Sequence, residues 1–436
     1  MKNSGTKFIY IYIYIYKLFN IILGVLLAFL FYLNQNVLKY NTKQGIKYGL
    51  LLVSLMFVLT VLVNKASLIT LVSLCLNLLL VPLSIQYYTG SSYGILSLNE
   101  IPLLMDRIIT YLFIYDACLY FLSLLFNFQK YEKRLMAQPF LQDNNLSIQF
   151  RNLTALVFAF VAFPRGFGEA VSGERFNMLL PGKAWNQLAI VALIFNLPYL
   201  KKHRSVQLTY LLTIFWFLSH GERADVAGLL AGLVFYWLMQ QPKGSLSKHF
   251  MKNLLVIATG VIFVALLGYV GYVRIYHVSP SLAILFKSLA TTATITDVGY
   301  LYNAAINYVF SFGTVHGQIF KANILSAIPF FDQNAGFTSY INMVYPNPGG
   351  EPLLAEPLMD FGSWGLLLIS IYDYICFSIP LLFKKRFFKY EFLVLLCSVP
   401  RIVWYGRSYV YTSLFFFVPF IYLVSVFLNR TQTAKD

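Results

Sequence analysis

Apolar residues in this chain come in long, nearly unbroken runs. They show neither the alternation of a half-buried strand nor the one-sided stripe of a surface helix. Runs near 20 apolar residues are what a helix needs to cross a bilayer. Taken between charged or Pro/Gly-rich breaks, they predict helices over 17–33, 48–63, 66–86, 108–127, 148–163, 185–199, 206–219, 224–240, 254–273, 355–383, 392–405 and 408–428. The expected fold is all-α: a polytopic transmembrane bundle of about twelve spans, forming one integral membrane domain over 1–436. A long extracytoplasmic loop, 274–354, interrupts it, and short interfacial helices are expected there, with 282–290 the clearest.

Composition sharpens this picture. Of 436 residues, 58% are hydrophobic, 18% aromatic and only 11% charged, against roughly 25% charged in a soluble domain. That excludes a soluble enzyme, a disordered chain and a nucleic-acid binder. The 33 basic against 17 acidic side chains follow from Lys and Arg collecting in cytoplasmic loops. Basic loops at 128–151, 200–205, 241–253 and 384–390 alternate with the spans and place both termini in the cytoplasm. The loop 34–47, with Lys39, Lys43 and Lys47, runs against that rule. Cys75, Cys118, Cys376 and Cys397 all sit in apolar runs without ligand spacing, so neither disulfides nor a metal site are expected.

Arginine is distributed differently from lysine. On this map 7 of 13 outside cations are Arg: Arg107, Arg165, Arg175, Arg223, Arg274, Arg401 and Arg407. Guanidinium binds phosphate oxygens bidentately and stays charged in a partly dry site. The outer face therefore reads as a phosphate-holding surface, with Arg165, Arg175, Arg223, Arg274, Arg401 and Arg407 as candidates. The same residues also suit snorkelling to headgroups or pairing with Glu169 and Glu174.

Four outer segments concentrate polar chemistry. Residues 163–176 combine Arg165, Glu169, Glu174 and Arg175 with Gly166, Gly168 and Gly173, a turn-rich frame for main-chain N–H groups to approach an anion. Ser219-His-Gly-Glu-Arg-Ala-Asp225 is a polar knot at membrane depth, where ionisable groups are functional candidates. Segment 274–354 is aromatic throughout, and Tyr300, Tyr302 and Tyr340 are candidate platforms for sugar rings. It closes on a Pro/Gly turn with Glu351, Glu356 and Asp360. Mid-span charges are few, chiefly Asp116 and Asp373.

Gly221-Glu-Arg223 opens an apolar, Gly-containing helix, and Ala355-Glu-Pro-Leu-Met-Asp-Phe-Gly-Ser-Trp-Gly365 opens a late span after the long loop. In these features the sequence resembles the Wzy-type polymerases of O-antigen and capsular polysaccharide repeat units. Glu222 departs from the small residues frequent at that position. The resemblance implies a lipopolysaccharide or capsule glycosyltransferase in the bacterial cytoplasmic (inner) membrane. It would move an undecaprenyl-diphosphate-linked glycan onto the next lipid-linked repeat unit, on the outer face, with inversion. Donor and acceptor are both lipid-linked, membrane lipid surrounds them, and a chain-length regulator and a flippase are implied partners. No cofactor or metal is expected, since arginines can offset the departing diphosphate. The family's outer arginines carry over to Arg223, then to Arg165 and Arg175. Candidate bases and catalytic groups are Glu222, Arg223, His220, Glu351, Glu356 and His316, with Glu222 preferred and Glu169 also in reach. A flippase would show an internal repeat of broken spans, and none is visible; an O-antigen ligase shares the donor chemistry and stays open.

Overall fold

The computed structural model describes residues 3–37, 43–90, 99–163, 185–220, 222–240, 293–328, 336–343, 345–347 and 350–433, with a few isolated positions between them. All regular structure among the described residues is helical. The first half comprises α1 (Asn3–Val37), α2 (Lys43–Asn64), α3 (Leu68–Asn77), α4 (Leu80–Thr89), α5 (Ile101–Leu125), α6 (Phe128–Met136), α7 (Asn145–Ala162), α8 (Trp185–Asn196), α9 (Arg204–Ser219) and α10 (Ala224–Met239). Then come α11 (Ala293–Phe312), α12 (Gln318–Ser326), α13 (Phe337–Asn342), α14 (Ala355–Phe361), α15 (Ser363–Leu382), α16 (Arg386–Tyr405), α17 (Ser408–Thr412) and α18 (Val418–Thr433). A single wide turn, Ser413–Phe417, joins the last two.

Among the described residues, seven helical stretches are long and apolar enough to cross a membrane: Tyr14–Asn36, Lys43–Asn64, Leu68–Thr89, Ile101–Leu125, Asn145–Ala162, Ser363–Leu382 and Val410–Thr431. These fit a membrane protein. The other expected spans at 185–199, 206–219, 224–240 and 392–405 are occupied by α8, α9, α10 and α16, while 254–273 lies outside the described residues.

Three departures have local causes. The run 66–86 forms one span in two pieces, because Pro82 has no N–H to offer the Leu78 carbonyl. The expected span 355–383 splits at Gly362, whose φ of +64° and ψ of −149° only glycine adopts readily. The membrane-length helix therefore begins at Ser363, and α14 stays outside it. Within 274–354, α11 runs 20 residues rather than as a short interfacial helix, and it packs on α14, α5 and α4.

The tightest helix pair positions the polar centre. Along α10, Gly228 and Gly232 face Cys397 of α16 so closely that a Cβ at either would overlap it. Small residues at i and i+4 let two backbones approach in this way. All four cysteines are free, with Cys75 and Cys397 buried as expected of small core residues.

Buried ion pairs gather in two clusters, while Asp116 is buried apart from them on Ser73 and Asn77. At one end Lys389 donates to the carbonyls of Met136 (2.8 Å) and Gln138 (2.6 Å). There Arg151 pairs with Asp143 at 2.7 Å, and Asn429 donates to the same carboxylate at 2.8 Å. Glu132 accepts from the Leu68 N–H at 2.8 Å, capping the start of α3, and its burial holds the carboxyl well above the ordinary range. The opposite end, where α9, α16 and the 350–361 segment meet, is the candidate site.

Candidate functional site

The site is organised by the turn from Arg401 to Arg407 that closes α16. Helix α16 ends at Gly406, with φ +94°, and this geometry sends both arginines inward. Arg401 donates to Glu222 at 2.9 Å and lies 3.6 Å from Asp225. Asn186 and Gln187, side by side at the start of α8, both donate to Asp225, the latter at 2.6 Å. Glu222 sits just ahead of α10, and its N–H caps the Phe217 carbonyl at 2.9 Å. Within the polar stretch at 219–225, the Glu222 carboxylate reaches Arg401, 179 residues along the chain.

Arg407 is only 3% exposed. Its Nε and Nη2 form a fork on Asp373, each bond 3.1 Å long, and Nη1 donates to Glu356 at 2.7 Å and to the Leu353 carbonyl at 3.3 Å. Tyr115 donates to Asp373 at 2.9 Å. The expected role of Arg401 and Arg407 as diphosphate clamps meets a physical obstacle: both guanidiniums are already neutralised by buried carboxylates, and the Arg407 fork is spent on Asp373. Breaking such a pair leaves a buried charge uncompensated.

Segment 350–354 lies along this turn, with the Leu353 N–H donating to Val403 O at 3.1 Å. It delivers Glu351, which unlike its neighbours is only half-buried. Asn323 of α12 donates to Glu351 at 2.7 Å. A Cβ at Gly406 would lie 2.9 Å from the Glu351 carboxylate, so glycine is required there for space as well as for φ. Burial and the neighbouring Glu356 push the Glu351 carboxyl up to about 8. Glu356 is raised as well, by burial, against the pull of Arg407. Asp360 accepts from the Ile319 and Phe320 N–H groups at 3.0 and 2.7 Å, capping the start of α12 and so fixing Asn323 one turn further on.

Other candidate positions fall elsewhere. Arg223 is half-buried at the start of α10. His220 is buried, stacked between Phe163 and Trp216, with Nδ1 2.8 Å from the Trp216 carbonyl. His316 is exposed on the turn before α12, at φ +52°, and contacts Thr314 at 3.3 Å. Tyr302 is not a sugar platform: its ring is 2% exposed and its hydroxyl accepts from the Leu354 N–H at 3.3 Å. Tyr300 and Tyr340 are half-buried, Tyr340 edge-on to Tyr308. Arg165, Arg175 and Arg274, with Glu169 and Glu174, lie outside the described residues.

Sequence reasoning missed Asn186, Gln187, Tyr115 and Asn323, all neutral partners of carboxylates. The only signal for them is amide or hydroxyl side chains inside apolar helices, which many packed helices share. It noted Asp373 only as a rare mid-span charge. Among the described residues, no group of three or more His, Cys, Asp or Glu side chains is arranged to hold a metal ion. Around the turn six carboxyls, Glu222, Asp225, Glu351, Glu356, Asp360 and Asp373, surround two buried guanidiniums. Such a cluster suits proton exchange at Glu351, the one residue of the six that is not fully buried, and electrostatic framing by the rest. No family model, curated protein or solved structure matches this chain.

Proposed function

We propose that the chain is a polysaccharide polymerase of the inner membrane, with both termini cytoplasmic and the Arg401–Arg407 end facing outward. It transfers a glycan from undecaprenyl diphosphate to a hydroxyl of the next lipid-linked repeat unit. The observation that carries this reading is the carboxyl of Glu351, a partly exposed residue, held by Asn323 beside a buried arginine–carboxylate frame in an apolar bundle. Glu351 takes the acceptor proton as the new C1–O bond forms. The bond from C1 to the diphosphate oxygen breaks, and the leaving group keeps the electron pair. A base whose pKa lies near the working pH is the most effective. Arg223, half-buried at the positive start of α10, meets the departing diphosphate. Arg401 and Arg407 hold the carboxylates in place.

A second reading, a proton-coupled transporter of lipid-linked oligosaccharide, draws on the excess of buried carboxyls over arginines. A single reconstitution separates the readings. In proteoliposomes given only a lipid-linked repeat unit, the polymerase reading expects a ladder of longer glycans. Movement of the lipid across the bilayer without new glycosidic bonds would overturn it in favour of transport. Product formed only when a lipid A–core acceptor is added would make the chain a ligase.

A further inference from the structure

Resting on the reading of Glu351 as the proton acceptor, we propose that Asn323 is the residue that positions it, and that Glu351 and Glu356 hold one proton between them. Asn323 is buried to 4% and donates through Nδ2 to Glu351 Oε1 at 2.7 Å. The helix that carries it is fixed from two sides: Asp360 caps its first turn, and the Val315 N–H donates to Met359 O at 2.9 Å just ahead of it. On the other flank Gly406 leaves room that any side chain would fill, with its would-be Cβ 3.1 Å from Glu351 Cβ. Glu351 is therefore clamped between one donor and one glycine.

An independent observation concerns Glu356. Its Oε2 accepts from Arg407, while its Oε1 is buried and accepts no hydrogen bond of good geometry, although Asn323 also acts on this carboxyl. A buried carboxyl oxygen without a donor is costly when ionised, and a proton retained by the Glu351–Glu356 pair removes that cost, as two close carboxyls cannot both ionise readily. The groups facing Glu351 are Glu356 and Asp360 from α14 and Arg407 from the turn after α16, with Asn323 from α12. Arg401, inside the end of α16, is taken up by Glu222. Burial and Glu356 raise the Glu351 carboxyl, while Asn323 and Arg407 oppose them. After accepting the substrate proton, Glu351 returns it to water once the product leaves.

The test is an infrared pH titration of the protonated-carboxyl stretching band in the purified full-length protein. The Glu351 contribution is the part lost in Glu351→Gln. The wild type is expected to titrate above neutral pH, Asn323→Ala to titrate at least half a pH unit higher, and Glu356→Gln to titrate lower. The rising limb of the rate–pH profile moves with the band in Asn323→Ala, and the rate recovers at high pH. A titration unmoved by Asn323→Ala, or a rate lowered equally at every pH, would overturn the positioning role. If Asn323→Ala does not accumulate, Glu356→Gln decides: no downward shift refutes the shared proton. Band shifts in a protein that makes no polymer would leave the proton pair standing and refute the polymerase. Polymer without band shifts would do the reverse.

Discussion

Both ends of the bundle bury an arginine against a carboxylate, and they differ in what surrounds the pair. At the Arg151 end, Asp143 is shared between Arg151 and Asn429, and nearby Lys389 is satisfied by the backbone carbonyls of Met136 and Gln138. Its ammonium also lies 3.6 Å from the Phe140 ring centroid. Each cation there joins helix ends and loops, which is a structural task. At the Arg401–Arg407 end, each arginine serves two carboxylates, and a further carboxyl, Glu351, lies beside them on the Asn323 donor. Buried charge is expensive at both ends. What sets the second apart is that two arginines and several carboxyls are drawn into one frame.

The comparison can be broken most forcefully at Arg407. Arg407→Met leaves Glu356 and Asp373 without a counter-ion and is expected to destabilise the fold by about 3–5 kcal/mol, seen as a large fall in thermal unfolding temperature in detergent. Arg151→Met is expected to cost less, because Asp143 keeps the Asn429 donor. Equal losses would mean that the two arginines do the same work.

The next effect is steric. Gly228→Ala places a methyl group on the Cys397 carbonyl, and overpacking of this kind costs about 1–3 kcal/mol. Because α10 carries Asp225 and follows Glu222 directly, activity should fall together with stability. An alanine variant with wild-type unfolding temperature and turnover would show that α10 and α16 have room to separate.

A pH series sharpens the contrast further. Glu351 has its folded-state carboxyl raised from the ordinary 4.5 to about 8, so the folded state binds more protons than the unfolded state between those values. Stability from this group is complete below the unfolded value and is lost as pH rises towards about 8. The stability advantage of Glu351→Gln over wild type should therefore grow across that window and level off above it. A difference independent of pH would contradict the raised carboxyl. Smallest of all, Tyr302→Phe removes the hydroxyl that accepts from Leu354 and should cost about 0.5–1.5 kcal/mol, with turnover per folded molecule retained. A large loss of turnover without destabilisation would return Tyr302 to a substrate role.

Much of the helix map was legible because a membrane-length apolar run has few other uses. The breaks were less so: Gly362 sits in a run that hydropathy joins smoothly, and only its backbone geometry divides α14 from α15. The polar knot at Ser219–Asp225 was visible as an anomaly, since ionisable residues at such depth are rare. Its partner was not, because Glu222 meets Arg401 only through the close packing of Gly228 and Gly232 on Cys397. The small residues signal that some backbone approaches, without saying which. The Arg407–Asp373 pair was hidden in the same way, with each member noted separately. Glu351 was one of several carboxyls in a turn-rich stretch, and what singles it out is exposure, a property of the folded arrangement. Asn323 offered only an amide inside a helix, a signal that many packed helices share.

The most direct test of the central claim sets the two ends against each other in one experiment. Glu351→Gln and Asp143→Asn each replace a carboxyl by its amide, one beside Arg407 and one beside Arg151. Turnover of lipid-linked repeat units in proteoliposomes is measured together with unfolding temperature. Glu351→Gln is expected to lose about 10²–10⁴-fold in turnover with its unfolding temperature unchanged or raised, while Asp143→Asn unfolds earlier yet turns over normally per folded molecule. Wild-type turnover in Glu351→Gln, or a selective loss of turnover in Asp143→Asn, would place the chemistry at the wrong end and contradict the account.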